Sequence, residues 1–118
     1  MAGITYTAGF VDCGADPTFG YYMYGEDPNG SDVTVIFASQ PSAGTYTIVN
    51  THTATGVTAG QVAILNYIDQ TDMDYGSVSG QATVTVVGGK VRVTYQNVQM
   101  RVFDGTTTTT TSGNITCN

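Results

Sequence analysis

Apolar and polar residues alternate along most of this chain with the period-two rhythm of half-buried β-strands. Ile4, Tyr6, Ala8 and Phe10 share one parity, with Thr5, Thr7 and Gly9 on the other. Cys13-Gly14-Ala15-Asp16-Pro17 interrupts this first strand. Phe19 to Tyr24 resumes as an aromatic strand, which the turn-forming Gly25-Glu26-Asp27-Pro28-Asn29-Gly30 closes. Val33 to Ala38 and Thr45 to Val49, joined by Pro41-Ser42-Ala43-Gly44, read as a central hairpin. Asn50 to Gly60 is small and polar, a loop, and the β-branched content of Val62 to Ile68 favours a further strand over a helix.

Val78, Gly80, Ala82, Val84 and Val86 hold one parity, Gly88-Gly89 follows, and Val91, Val93 and Tyr95 alternate again, the strongest hairpin signal in the chain. The apolar parity then moves to Val98, Met100 and Val102. One extra residue near Gln96 or Asn97 keeps both sets on the same side of the sheet, so a β-bulge is expected there. Asp104-Gly105 turns the chain into Thr106 to Thr111 and a last strand whose Ile115 and Cys117 point inward. Eight or nine short strands in one 118-residue domain predict an all-β fold, an antiparallel β-sandwich, with a closed β-barrel as the alternative.

Composition supports the β reading: 21 Thr, 15 Gly and 14 Val stand against the single Leu65. Three basic residues, Lys90, Arg92 and Arg101, against nine acidic ones give a net charge of −6. Nothing here attracts a phosphate backbone or an anionic bilayer, so nucleic acid and membrane surfaces are poor partners. No apolar run approaches the ~20 residues of a spanning helix. Met1-Ala2-Gly3 opens no signal-peptide pattern, so the chain reads either as a mature form or as one made without export. Cys13 and Cys117 lie near the two ends without zinc-type spacing. They are expected to form a disulfide, and with it to mark an oxidising extracellular compartment; the alternative is two buried thiols.

Residues Ser42 to Thr47, containing Gly44-Thr45-Tyr46-Thr47, the segment Gly76 to Val86 with its Gly-Gly hairpin, and Ser112-Gly113-Asn114-Ile115-Thr116 carry a resemblance. Over roughly residues 33–117 the chain resembles secreted or lipid-anchored bacterial cell-surface β-sandwich domains, marked by a GTYT strand and a penultimate GxVTVT hairpin. The resemblance implies a surface-exposed sandwich and carries no catalytic residue across.

The lone His52 sits among small polar residues, and no nucleophile motif accompanies it. Paired carboxylates could be drawn from Asp12, Asp16, Glu26, Asp69, Asp72 and Asp74, but no spacing selects a pair, so no enzyme is expected. Calcium is the cofactor the acidic runs allow, through Asp69, Asp72 and Asp74 or through Asp27, Asn29 and Asp32, although these residues equally suit solvated turns. On a strand, Tyr22 and Tyr24 share a face and could form a platform for sugar rings, with Tyr21 and Met23 opposite. Thr106 to Thr111 lack the lysines that block strand addition, which makes Thr107 and Thr109 the expected assembly edge. Two function classes follow. The first is a non-enzymatic extracellular structural subunit of the surface-filament, coat or virion-decoration type, a homo-oligomer joined through β-edges. The second is a carbohydrate- or ligand-binding cell-surface module.

Overall fold

The described residues form ten strands, where the alternation predicts eight or nine. The computed structural model describes residues 4–5, 10–18, 20–28, 30–68 and 71–117. The strands are β1 Ile4–Thr5, β2 Phe10–Asp16, β3 Gly20–Glu26, β4 Ser31–Phe37, β5 Gly44–Ile48, β6 Gln61–Ile68, β7 Met73–Ser79, β8 Gln81–Val87, β9 Lys90–Val102 and β10 Thr108–Thr116. Among the described residues there is no helix, and hence none long and apolar enough to cross a membrane. Much of the first alternating segment, residues 6–9, lies outside the described residues.

Two antiparallel sets make the layers of a sandwich-like all-β fold. β2, β3, β4 and β6 are neighbours in that order, and β8, β9 and β10 are neighbours in the other set. Two bridges join β6 to the second set. Toward one end β5 pairs parallel with β6 and antiparallel with β8; toward the other β7 pairs antiparallel with both β6 and β9. β1 adds to β10 in parallel at Thr111 and Ser112. The sheet is therefore mixed, where pure antiparallel pairing was expected. Inward parity supplies one continuous core: Met23 from β3, Val33, Val35 and Phe37 from β4, Ile64 from β6, and Val93, Val98 and Met100 from β9, with Ile115, are all at most 1% exposed. Each such side chain contributes about 1.5 to 3 kcal/mol by leaving water.

The predicted hairpin between Val33–Ala38 and Thr45–Val49 does not form. Both edges of β4 are occupied, by β3 and β6, so β5 crosses to β8 instead. Tyr46 anchors the crossing: its hydroxyl donates to the Ser42 carbonyl at 2.9 Å, and its ring meets Phe37 edge-on at 5.1 Å. Gly80 also divides what the pattern presents as a single strand. At φ +133° it reverses the parity, so Tyr75 and Ser77 face inward before it, Ala82 and Val84 after it, and Val86 is exposed. Cys13-Gly14-Ala15-Asp16 does not break a strand; it continues β2.

Other local expectations are met. Gly88 and Gly89, both at positive φ, form the two-residue β8–β9 turn between paired Val87 and Lys90. Gln96 and Asn97 bulge from β9 opposite Ser112, with Asn97 at φ +52° and its amide donating to the Ser112 hydroxyl at 3.0 Å. Gly80 lies against Val98 beside that bulge, where the strand along β9 changes from β8 to β7.

Cys13 of β2 and Cys117 after β10 form a disulfide, with Cα atoms 5.8 Å apart. It ties the two layers together on the side away from the β5 and β7 bridges. The Tyr21 hydroxyl lies 3.6 Å from the Cys117 sulfur beneath it.

Candidate functional site: two outer faces of unlike charge

The outward parity of β2, β3, β4, β6 and β7 assembles one face. Strand register brings Asp12 beside Tyr24, Tyr24 beside Thr34, and Thr34 beside Leu65. The next row sets Glu26, Asp32, Tyr67 and Asp74 side by side across four strands. Tyr22 and Tyr24 do share this face, with Tyr21 and Met23 buried on the other. Their rings, with Thr34, Ile36 and Leu65, line a shallow depression of ≈ 460 Å³ flanked by Asp12 and Asp16.

Hydrogen bonds hold both tyrosines in place. The Tyr22 hydroxyl donates to Asp12 Oδ2 at 3.1 Å. That of Tyr24 has one hydrogen and donates to Glu26 Oε1 at 2.8 Å, with Asp32 Oδ2 farther off at 3.5 Å. The bond to Asp12 and its charge push the Tyr22 phenol up; burial, then the bond to Glu26, pushes Tyr24 up further. Burial also raises the Asp32 carboxyl, the charges of Asp74 and Glu26 add to this, and the Tyr24 hydrogen bond opposes it.

Four of the six expected calcium residues, Asp27, Asp32, Asp72 and Asp74, are described. Asp72, in the turn before β7, accepts the Tyr67 hydroxyl at 2.8 Å, while Asp74 faces outward beside Tyr67 on β7. Asp32 and Asp74 flank Tyr67 in one cross-strand row, so residues of the two acidic runs share the outer face. Asp27 is buried in a turn closed by its amide donating to the Ser31 carbonyl at 2.7 Å. Asn29 and Asp69 lie outside the described residues. Among the described residues no three His, Cys, Asp or Glu side chains gather as a metal-holding group.

On the other outer face Thr45, Thr83, Thr94 and Asn114 form one cross-strand row, and Thr85, Arg92 and Thr116 the next. Arg92 Nε donates to Thr116 Oγ1 at 3.0 Å. All three cations of the protein are on β9, and β8, β9 and β10 hold no acid. Of the predicted assembly edge, Thr107 lies in the β9–β10 turn, where its carbonyl accepts the Val102 amide at 2.9 Å. Thr109 is half-buried on β10 opposite Met100. The run is not an array open on both sides, because Thr111 is fully buried.

His52 leaves solvent in part: Nε2–H donates to the Gly76 carbonyl at 3.3 Å, and the ring stacks on Phe103 at 4.8 Å. It closes the outside of β7, where Gly76 has no room for a side chain against Thr51 and Phe103. The roles of Thr34, Ile36, Leu65 and Tyr67 in the tyrosine face depend on register between strands distant in sequence. Their outward parity is the only signal of it in the chain. Comparison with protein families, with characterised proteins and with solved structures gives no match.

Proposed function

We propose that the protein is a non-enzymatic extracellular structural subunit that associates with copies of itself through its strand edges. The observation that supports this most directly is β10. Among the described residues only Thr111 and Ser112 of its nine have a partner on the edge away from β9, and no lysine or arginine guards the strand. A strand edge without such guards accepts an added strand. The disulfide supports the extracellular placement, since such bonds persist in oxidising compartments. Lysine at the exposed Thr108 and Asn114 should abolish the self-association that survives 500 mM NaCl in sedimentation velocity while leaving the melting temperature nearly unchanged. A wild-type chain that stays monomeric at millimolar concentration overturns the reading.

A second reading has its own observation. The Tyr22 and Tyr24 depression joins aromatic and aliphatic walls to carboxylates that could accept sugar hydroxyls, as a carbohydrate site requires. Retention on a glycan array that is lost in Tyr22→Ala and Tyr24→Ala would favour it over assembly.

A further inference from the structure

We infer that successive copies of this chain also stack face to face, the carboxylate-bearing outer face of β2, β3, β4, β6 and β7 of one copy seated on the cationic outer face of β8, β9 and β10 of the next. The inference rests on the self-association reading and goes beyond it, since it uses sheet faces in place of strand edges.

Charge segregation carries the argument. Asp12, Asp16, Glu26, Asp32 and Asp74 take the outward parity of one layer. Lys90 and Arg92 take the outward parity of the other, while Arg101, beyond the bulge, faces outward beside Gly76 of β7 at the border of the carboxylate face. Asp72 and Asp104 lie in the turns before β7 and after β9. Among the described residues no acid shares the outer face of β8, β9 and β10 with Lys90 and Arg92, whereas five share the other face. Opposed faces dominated by opposite signs on one molecule are complementary between copies and repel like to like, which fixes which face meets which.

The surroundings suit contact. Around Arg92 lie threonine hydroxyls and Asn114, which carry no charge to desolvate, and around Asp12 lie the tyrosine rings that interfaces favour. Principal extents of 36, 31 and 24 Å allow faces of the order of the roughly 800 Å² per partner that a specific interface buries. Because the two faces differ, the contact is heterologous, and unless its rotation closes a ring it continues into a filament.

Two charge-reversed chains and a salt series test this. Lys90→Glu with Arg92→Glu makes both faces acidic; Asp12→Lys with Glu26→Lys turns the carboxylate face toward positive. Sedimentation of the wild type should show association whose dissociation constant rises at least tenfold between 20 and 500 mM NaCl, because screening shortens the reach of exposed charges to a few ångströms, about 3 Å at 1 M. Each reversed chain alone should lose the salt-sensitive association and keep only the edge association, and an equimolar mixture should regain the salt-sensitive step. The salt series needs no substitution, so it decides the matter even where a reversed chain fails to fold. Wild-type association that is indifferent to salt, or a salt-sensitive step that persists in the reversed chains, overturns face stacking and leaves edge association intact. A wild type that is monomeric throughout overturns both, and does so in favour of the sugar site if the same sample is retained on a glycan array.

Discussion

The Ser77 hydroxyl accepts the amide hydrogen of Ile64 at 3.2 Å, at the place where β7 parts from β6. Its own hydrogen goes to the Val49 carbonyl at 2.9 Å, so one side chain supplies the rung that β5, β6 and β7 cannot make with backbone alone. Ser77 is fully buried, and water cannot replace it. Ser77→Ala leaves a buried donor and a buried acceptor unpaired and should cost about 1 to 3 kcal/mol. Urea denaturation followed by circular dichroism measures this; a loss below about 0.5 kcal/mol would mean the hydroxyl is not a structural rung.

Thr111 presents the opposite case. It is fully buried opposite Val98, and its hydroxyl has no hydrogen-bond partner among the described residues. An unpaired buried hydroxyl carries a penalty of about 1 to 3 kcal/mol. Thr111→Val keeps the shape and removes the penalty, so stability should rise by about 1 kcal/mol and the melting temperature by about 3 to 6 °C. Thr111→Ser, which loses the methyl and keeps the hydroxyl, should destabilise. If valine also lowers the melting temperature, the hydroxyl is satisfied in solution.

Asp32 sets a pH dependence. Its carboxyl is raised above the ordinary value chiefly by burial, so the folded chain holds this proton more tightly than the unfolded one. The contribution of Asp32 is therefore most favourable when protonated, and it is lost as pH rises from the unfolded value through the raised folded value. Asp32→Asn keeps an acceptor for Tyr24 and removes the like charge beside Glu26 and Asp74. The variant should melt higher than wild type at pH 7, and the gap should narrow as pH falls toward 4. Parallel melting curves at every pH would show that Asp32 is fully solvated.

Removing the disulfide gives the largest expected effect. Cys13 and Cys117 are 104 residues apart in sequence, so their bond closes nearly the whole chain. Cys13→Ser with Cys117→Ser should cost about 2 to 5 kcal/mol in guanidinium denaturation. A variant as stable as wild type would show that the two layers are held together without the bond.

What could be read along the chain was local. Gly88-Gly89 specifies a two-residue turn, and the parity change from Tyr95 to Val98 specifies a bulge, because each is decided by a few consecutive residues. The cysteine pair was legible because two thiols near the ends have one partner each. The hairpin at Pro41 to Gly44 was misread because turn residues reverse a chain without stating which neighbour a strand will accept, and β4 was already paired on both edges. Ser77 and Thr111 carry ordinary strand residues, and only the fork of β6 and the path of β10 bury them. The row Glu26, Asp32, Tyr67 and Asp74 draws on four strands, so its composition depends on three separate registers.

The disulfide has a mechanical consequence. Tension that enters the chain before Cys13 and leaves after Cys117 passes through a covalent bond and bypasses the hydrogen-bonded strands between them. Under load the 103 intervening residues cannot pay out as slack, and extension is confined to the segments outside the bond. A string of such units would stretch little and unfold only once reduced, so its stiffness would report the redox state of its surroundings.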